Sequence, residues 1–165
     1  MTYTFYCFGH ENIQATHKNT IEFTKEDSLT KNGDCIVGVK ADFDRDSLVG
    51  YIIKKAGQGK TIGTVFSNEE SNDNKKNIIE KNNGQLYKNI TIKITITAGK
   101  ESDAITGLFN QSFQSNHEMV LRLSDFASDR TVMIRADKSA VMINSKLRSA
   151  LKDSKTKIIV SIEVL

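Results

Sequence analysis

The sequence predicts an α+β protein built from two related β-rich units, each ending in a helix, on a mostly antiparallel sheet or a partly closed barrel. Three observations predict it. Apolar and polar residues alternate with the period of a half-buried strand in several stretches, most regularly in the ITIKITIT run within Tyr87–Ala98. Apolar residues recur at helical spacing in two others: Leu48, Val49, Ile52, Ile53 and Ala56, then Ala140, Ile143, Leu147 and Leu151. Finally, the run DCIVGVKAD from Asp34 to Asp42 aligns without a gap to DRTVMIRAD from Asp129 to Asp137, with four identities and a basic residue in each at Lys40 and Arg135. That points to an internal duplication.

Taken in order, Thr2 to Phe8 is a dense aromatic strand stopped by Gly9, and Ile13 and Ala15 continue in extended form until His17-Lys18-Asn19 turns the chain. Ile21 and Phe23 alternate with Thr20, Glu22 and Thr24 in a strand with a polar outer face. Asn32-Gly33 tolerates positive φ and signals a turn, after which Cys35 to Val39 is apolar enough for a central strand. Asp42 or Asp44 can cap the first helix, which ends near Gly57. Lys60 to Phe66 reads as a strand. The polar stretch 67–85 reads as a mobile insertion. After the strand ending at Ala98, Gly107 to Asn116 reads as a loop, Met119–Leu123 and Thr131–Arg135 as a strand pair, and Asp137 as the cap of the second helix. Lys157 to Val164 closes the chain as a strand. The expected organisation is a single domain over 1–165 with approximate halves 2–57 and 87–153. In that alignment Gly9-His10-Glu11-Asn12 corresponds to Gly99-Lys100-Glu101-Ser102.

Length and composition bound the function classes. A chain of 165 residues with 38% hydrophobic content can bury one sizeable core. Its formal charge of +3 suits an anionic ligand but falls short of the density of a dedicated nucleic-acid protein. No apolar run approaches a membrane span, and the start MTYTFYCFGH has no signal pattern, so a cytoplasmic protein is expected. Two cysteines without a close Cys pair argue for reduced thiols.

The chemistry-bearing residues concentrate between Gly9 and Asp42. His10, His17, Asp34 and Cys35 together resemble an N, O and S ligand set for zinc, although the spacing of the histidines places them on opposite faces of a continuous strand. Cys35 beside a histidine can be read as a nucleophile, or as a small buried hydrophobe at the start of an apolar strand. Lys18, Lys40, Arg130, Arg135 and Lys138 can form an anion patch, helped by amides at the helix starts after Asp42 and Asp137. Gly57-Gln58-Gly59-Lys60-Thr61 is not a phosphate loop, because Lys54 stands where its first glycine belongs.

Gly9-His10, Asn12-Ile13, Ala15, His17-Lys18, Thr20, Leu29-Thr30 and Gly33-Asp34-Cys35-Ile36-Val37-Gly38-Val39, with Asp125-Phe126, Asp129-Arg130-Thr131 and Arg135-Ala136-Asp137-Lys138, carry a resemblance. Together they look like the archaeal domain-of-unknown-function family 371, over nearly the whole chain and least between Gly57 and Leu86. The resemblance implies a cytosolic archaeal protein and brings no activity with it. The expected function is binding of an anionic small molecule or RNA at the junction of the two units, with His10, Asn12, His17, Lys18, Asp34, Asp129, Arg130 and Arg135 as the ligand-binding residues. The alternatives are a hydrolase or transferase with His10 or His17 as general base and Asp34 as its orienter, metal-assisted or not, and a structural or oligomerising protein. Catalytic residues, metal, cofactor and oligomeric state are left open by the sequence.

Overall fold

A computed structural model of the chain describes residues 2–58 and 89–165. The strand read at Lys60–Phe66 and the insertion read at 67–85 lie outside the described residues. Eight strands form one sheet: β1 (Tyr3–Phe8), β2 (Thr20–Thr24), β3 (Ile36–Gly38), β4 (Thr91–Ala98), β5 (Glu101–Phe109), β6 (Glu118–Arg122), β7 (Thr131–Ile134) and β8 (Lys157–Val164). Helix α1 spans Arg45–Gln58 and α2 spans Ser145–Ala150, the latter preceded by a 3-10 turn at Ala140–Met142. The strand order is β1-β8-β4-β5-β7-β6-β2-β3. Pairing is antiparallel except for β2 with β3 and β6 with β7. The sheet does not close as a continuous ladder. Among the described residues its end strands are joined by one isolated bridge, in which Phe8 and Val39 exchange two backbone hydrogen bonds of 2.8 and 2.9 Å.

The alternation of β4 turns Ile92, Ile94 and Ile96 inward against Ile158, Val160 and Ile162 of β8, and Phe5 packs edge-on to Phe23 and Phe43. Leu48 and Ile52 of α1, and Leu147 of α2 with the following Leu151, complete the core at stripes of helical period. Burial of this continuous apolar surface is what stabilises the sheet.

The two halves repeat one set of backbone bonds. In the first, Thr16 and His17 amides donate to the Asp34 carbonyl, Lys40 to Glu26, Ala41 to Thr24 and Asp42 to Tyr6, and the Asp42 carboxylate accepts from the Tyr6 amide. In the second, Gln114 and Ser115 donate to Asp129, Arg135 to Ser124, Ala136 to Arg122 and Asp137 to Thr106, and the Asp137 carboxylate accepts from Thr106. Lys40 and Arg135 take up the same left-handed backbone, with φ of 52° and 50°. Helix starts are tied alike. The Tyr3 hydroxyl bonds the Asp44 main chain, and the Asp103 carboxylate accepts from the Asn144 amide.

Several expectations are corrected. Asp42 and Asp137 do not cap helices; each pins a strand amide, while Asp44 accepts from the Ser47 amide and Asn144 from the Lys146 amide. Gly99 stands in a different setting from Gly9: it turns the β4–β5 hairpin with φ of 61°, and the two hydrogen bonds that His10 accepts, from the Asn12 and Ile13 amides, recur at Asn110, which accepts from Ser112 and Phe113. Gly107 to Phe109, read as loop, lies in β5. The segment around Ile13 and Ala15 is irregular, with Ala15 at φ of 50°. β3 stands at the end of the sheet order rather than in its centre. β2 is buried on both sides, because the turn carrying Cys35 folds over its polar face: Glu22 is only 8% exposed.

Close packing between strands is exchanged between the halves. A β-carbon on Gly38 would strike Cys7, and one on Gly107 would lie 2.7 Å from Met133 Cγ. The large side chain is on the first strand in one half and on the third in the other.

Candidate functional site

The residues expected to bind ligand do not form one constellation. His10 Nδ1 accepts from the Asn12 amide at 3.0 Å, and the Asn12 side chain donates to the Leu29 carbonyl at 2.7 Å. His17 Nδ1 accepts from the Asn19 amide at 3.1 Å, so the ring is set by its own turn. Asp34 meets His17 through its main-chain carbonyl alone; it does not orient either imidazole, which removes the geometry expected of a His/Asp general base. Lys18 is exposed in the turn before β2. Asp129 likewise serves through its carbonyl. Among the described residues no group of three or more His, Cys, Asp or Glu side chains is placed to hold a metal ion, so the zinc set of His10, His17, Asp34 and Cys35 is not assembled.

Most of the expected cations are already neutralised. Arg130 pairs with Glu118, Arg135 with Asp125 through two nitrogens, and Lys138 with Asp103. The hydrogen bond from Arg135 holds the Asp125 carboxyl below its usual range. Burial, then the nearby Glu118, pushes the Glu22 carboxyl up. The Cys35 thiol donates to Glu22 Oε2 at 3.5 Å, and burial, followed by the charge of Glu22, pushes it up to about 12. A thiol so placed stays protonated at neutral pH, which speaks against the nucleophile reading; nor is the side chain a buried hydrophobe, since it is half-buried and bonded to Glu22.

One cleft has a different character. About 260 Å³ in volume, it is lined by Phe8, Gly9, His10, Asp27, Val39, Lys40 and Ser154. It forms where the end of β1 meets the end of β3 on one side and the turn between α2 and β8 on the other. Gly9 allows that meeting: its amide donates to Thr156 at 3.0 Å, and any β-carbon would overlap the carbonyl oxygens of Leu151 and Asp153. The His10 amide donates to Leu151 at 3.0 Å and fixes the imidazole beside the opening. Phe8 and Val39 supply an apolar floor, and Lys40, Asp27, His10 and Ser154 the polar groups.

Of the eight residues expected to bind ligand this cleft contains His10 alone. Lys40 belonged to the anion patch; Asp27 and Ser154 carried no local signal. What could have found Asp27 is the repeat itself. Asp27 follows Glu26, whose carbonyl receives the Lys40 amide, and Asp125 follows Ser124, whose carbonyl receives the Arg135 amide. In the second half these positions form the Arg135–Asp125 ion pair; among the described residues Lys40 and Asp27 form none with each other or with another side chain.

The model of a family described as a domain of unknown function (DUF371) matches residues 5–86 and 58–165. An uncharacterized protein of the archaeon Methanocaldococcus jannaschii is 36% identical over 149 residues, which covers 89% of this chain and 88% of that protein. No helix among the described residues is long and apolar enough to cross a membrane.

Proposed function

We propose that this chain, which belongs to the DUF371 family, binds a small anion in the cleft of His10 and Lys40. The observation that carries the reading is a contrast. Lys40 and Arg135 leave the same left-handed turn, yet Arg135 is neutralised by Asp125 while Lys40 faces a cleft and has no ion-pair partner among the described residues. An ammonium beside an imidazole and a hydroxyl is a donor set for phosphate or carboxylate oxygens. Arg130, Arg135 and Lys138 are held by carboxylates, so in this reading the anion sits at Lys40 rather than at them.

The two halves derive, in this reading, from duplication of one β-β-β-α-β unit, with β1 to β4 and β5 to β8 as its copies. The repeated bonds support it, and so does the pairing of Glu22 with Val120, each at the middle of its strand's antiparallel contact with the other. The cleft then lies at the junction of the copies, since β1 and β3 come from one and the α2–β8 turn from the other.

Calorimetric titration with inorganic phosphate tests the site. Binding that disappears in Lys40→Met and persists in Arg135→Met is expected. Loss in Arg135→Met with retention in Lys40→Met, or the absence of binding to the unaltered protein, overturns it.

A further inference from the structure

The cleft presents both signs of charge, and that restricts what can occupy it. Lys40 and Asp27 both line its wall. In the other half the corresponding Arg135 and Asp125 satisfy each other directly, with the guanidinium Nε and Nη2 on the two carboxylate oxygens. The backbone that presents the two pairs is the same, from the left-handed residue to the amide bonded one position before the aspartate. The first half thus presents both charges on one cleft, with no ion pair between them among the described residues.

We infer that the ligand is a small zwitterion, a short aminoalkyl phosphate or carboxylate, whose anionic end meets Lys40 and His10 and whose ammonium meets Asp27. This rests on the anion-site reading above and goes beyond it. A ligand that is only an anion binds through Lys40 and His10 against the repulsion of Asp27, so it binds more weakly than one that also answers Asp27. A zwitterion takes the part that each charge plays for its partner in the second half. Phe8 and Val39 give the connecting methylenes an apolar floor. A volume of about 260 Å³ is small for a ligand pocket, which favours a molecule of few heavy atoms.

The test compares O-phosphoethanolamine, inorganic phosphate and ethylammonium as probes of the unaltered full chain, of Lys40→Met and of Asp27→Asn. The expected result is that O-phosphoethanolamine binds about two- to fivefold tighter than phosphate, the increment of one added exposed ion pair. In Asp27→Asn the preference should vanish, the two probes binding alike, and Lys40→Met should abolish binding of both. Equal affinities for phosphate and O-phosphoethanolamine, or tighter binding of O-phosphoethanolamine by Asp27→Asn, overturn the zwitterion and leave the anion site standing. Absence of binding by all three probes overturns both. Circular dichroism of each variant establishes that it is folded, since both altered side chains are exposed.

Discussion

The turn from Lys25 to Asp42 and the turn from Leu123 to Asp137 share a backbone and differ in what their side chains do with it. Both place a basic residue at positive φ, follow it with an alanine bonded back to the preceding strand, and spend the next aspartate on pinning an amide of the half's first strand. In the second turn the cation is closed onto Asp125. In the first it is open to a cleft. The difference teaches that in this fold the hydrogen-bonded frame sets where a cation stands, and side-chain pairing decides whether it is available.

The packing beneath the turns makes the same comparison at higher energy. Gly9→Ala is expected to give the largest loss, about 3 kcal/mol in denaturant unfolding, because the new methyl meets two backbone carbonyls that cannot rotate away. Gly38→Ala and Gly107→Ala should each lose about 1–3 kcal/mol. They should differ in rescue. Cys7→Ala removes the sulfur that the Gly38 methyl would strike, so the double variant should lose less than the two single losses combined. Trimming Met133 should rescue Gly107→Ala less, because the Ile134 carbonyl oxygen also lies 2.8 Å from the added carbon.

The ties from strand to helix start come next. Asp103→Ala removes the acceptor of Lys138 and of the Asn144 and Ala104 amides, and should cost about 1–2 kcal/mol; Tyr3→Phe, which breaks only the bonds to Asp44, should cost about 1 kcal/mol. The two also differ in pH dependence. Burial pushes Asp103 up, but its bonds to Lys138, Asn144 and Ala104 prevail and hold it below the usual carboxylate range. Its contribution is present above the unfolded-state pKa and lost as pH falls through the folded one, so the gap between wild type and Asp103→Ala should shrink in acid. The Tyr3→Phe gap should not shrink there.

Glu22 and Val120 face each other at the centre of the β2–β6 contact. Burial raises the Glu22 pKa, so the folded state holds a proton that the unfolded state has released, and wild-type stability falls as pH rises from the unfolded value through the folded one. Stability curves of Glu22→Gln should lack that fall. Parallel curves for the two proteins would remove this account of Glu22. The smallest effect belongs to Lys40→Met, with stability within about 0.5 kcal/mol of wild type, as expected of an exposed side chain without a partner among the described residues.

Much of this frame was legible in the residues. The Ile/Thr alternation fixed β4, the apolar run fixed β8, and the match of Asp34–Asp42 to Asp129–Asp137 located two turns that prove to be bonded alike. Other features were not local. β5 begins Glu101-Ser102-Asp103, and a polar start hides a strand whose partners are supplied by β4. An aspartate before a helix is an equally good acceptor for a cap or for a strand amide, and only the approach of Tyr6 and Thr106 decides for Asp42 and Asp137. His10 was visible as a reactive side chain, but the cleft beside it was not, because Ser154 reaches its wall from the far end of the chain. Arg130 and Arg135 looked available for the converse reason: Glu118 and Asp125 are brought to them by pairing that spacing does not show.

The central claim is that the open cation, not its paired counterpart, marks the binding site. Amide-shift mapping by nuclear magnetic resonance during titration with inorganic phosphate tests it most directly. The account predicts saturable shifts at Gly9, His10, Lys40 and Ser154 that vanish in Lys40→Met. Shifts centred on Arg130 and Arg135, or none that saturate, would contradict it.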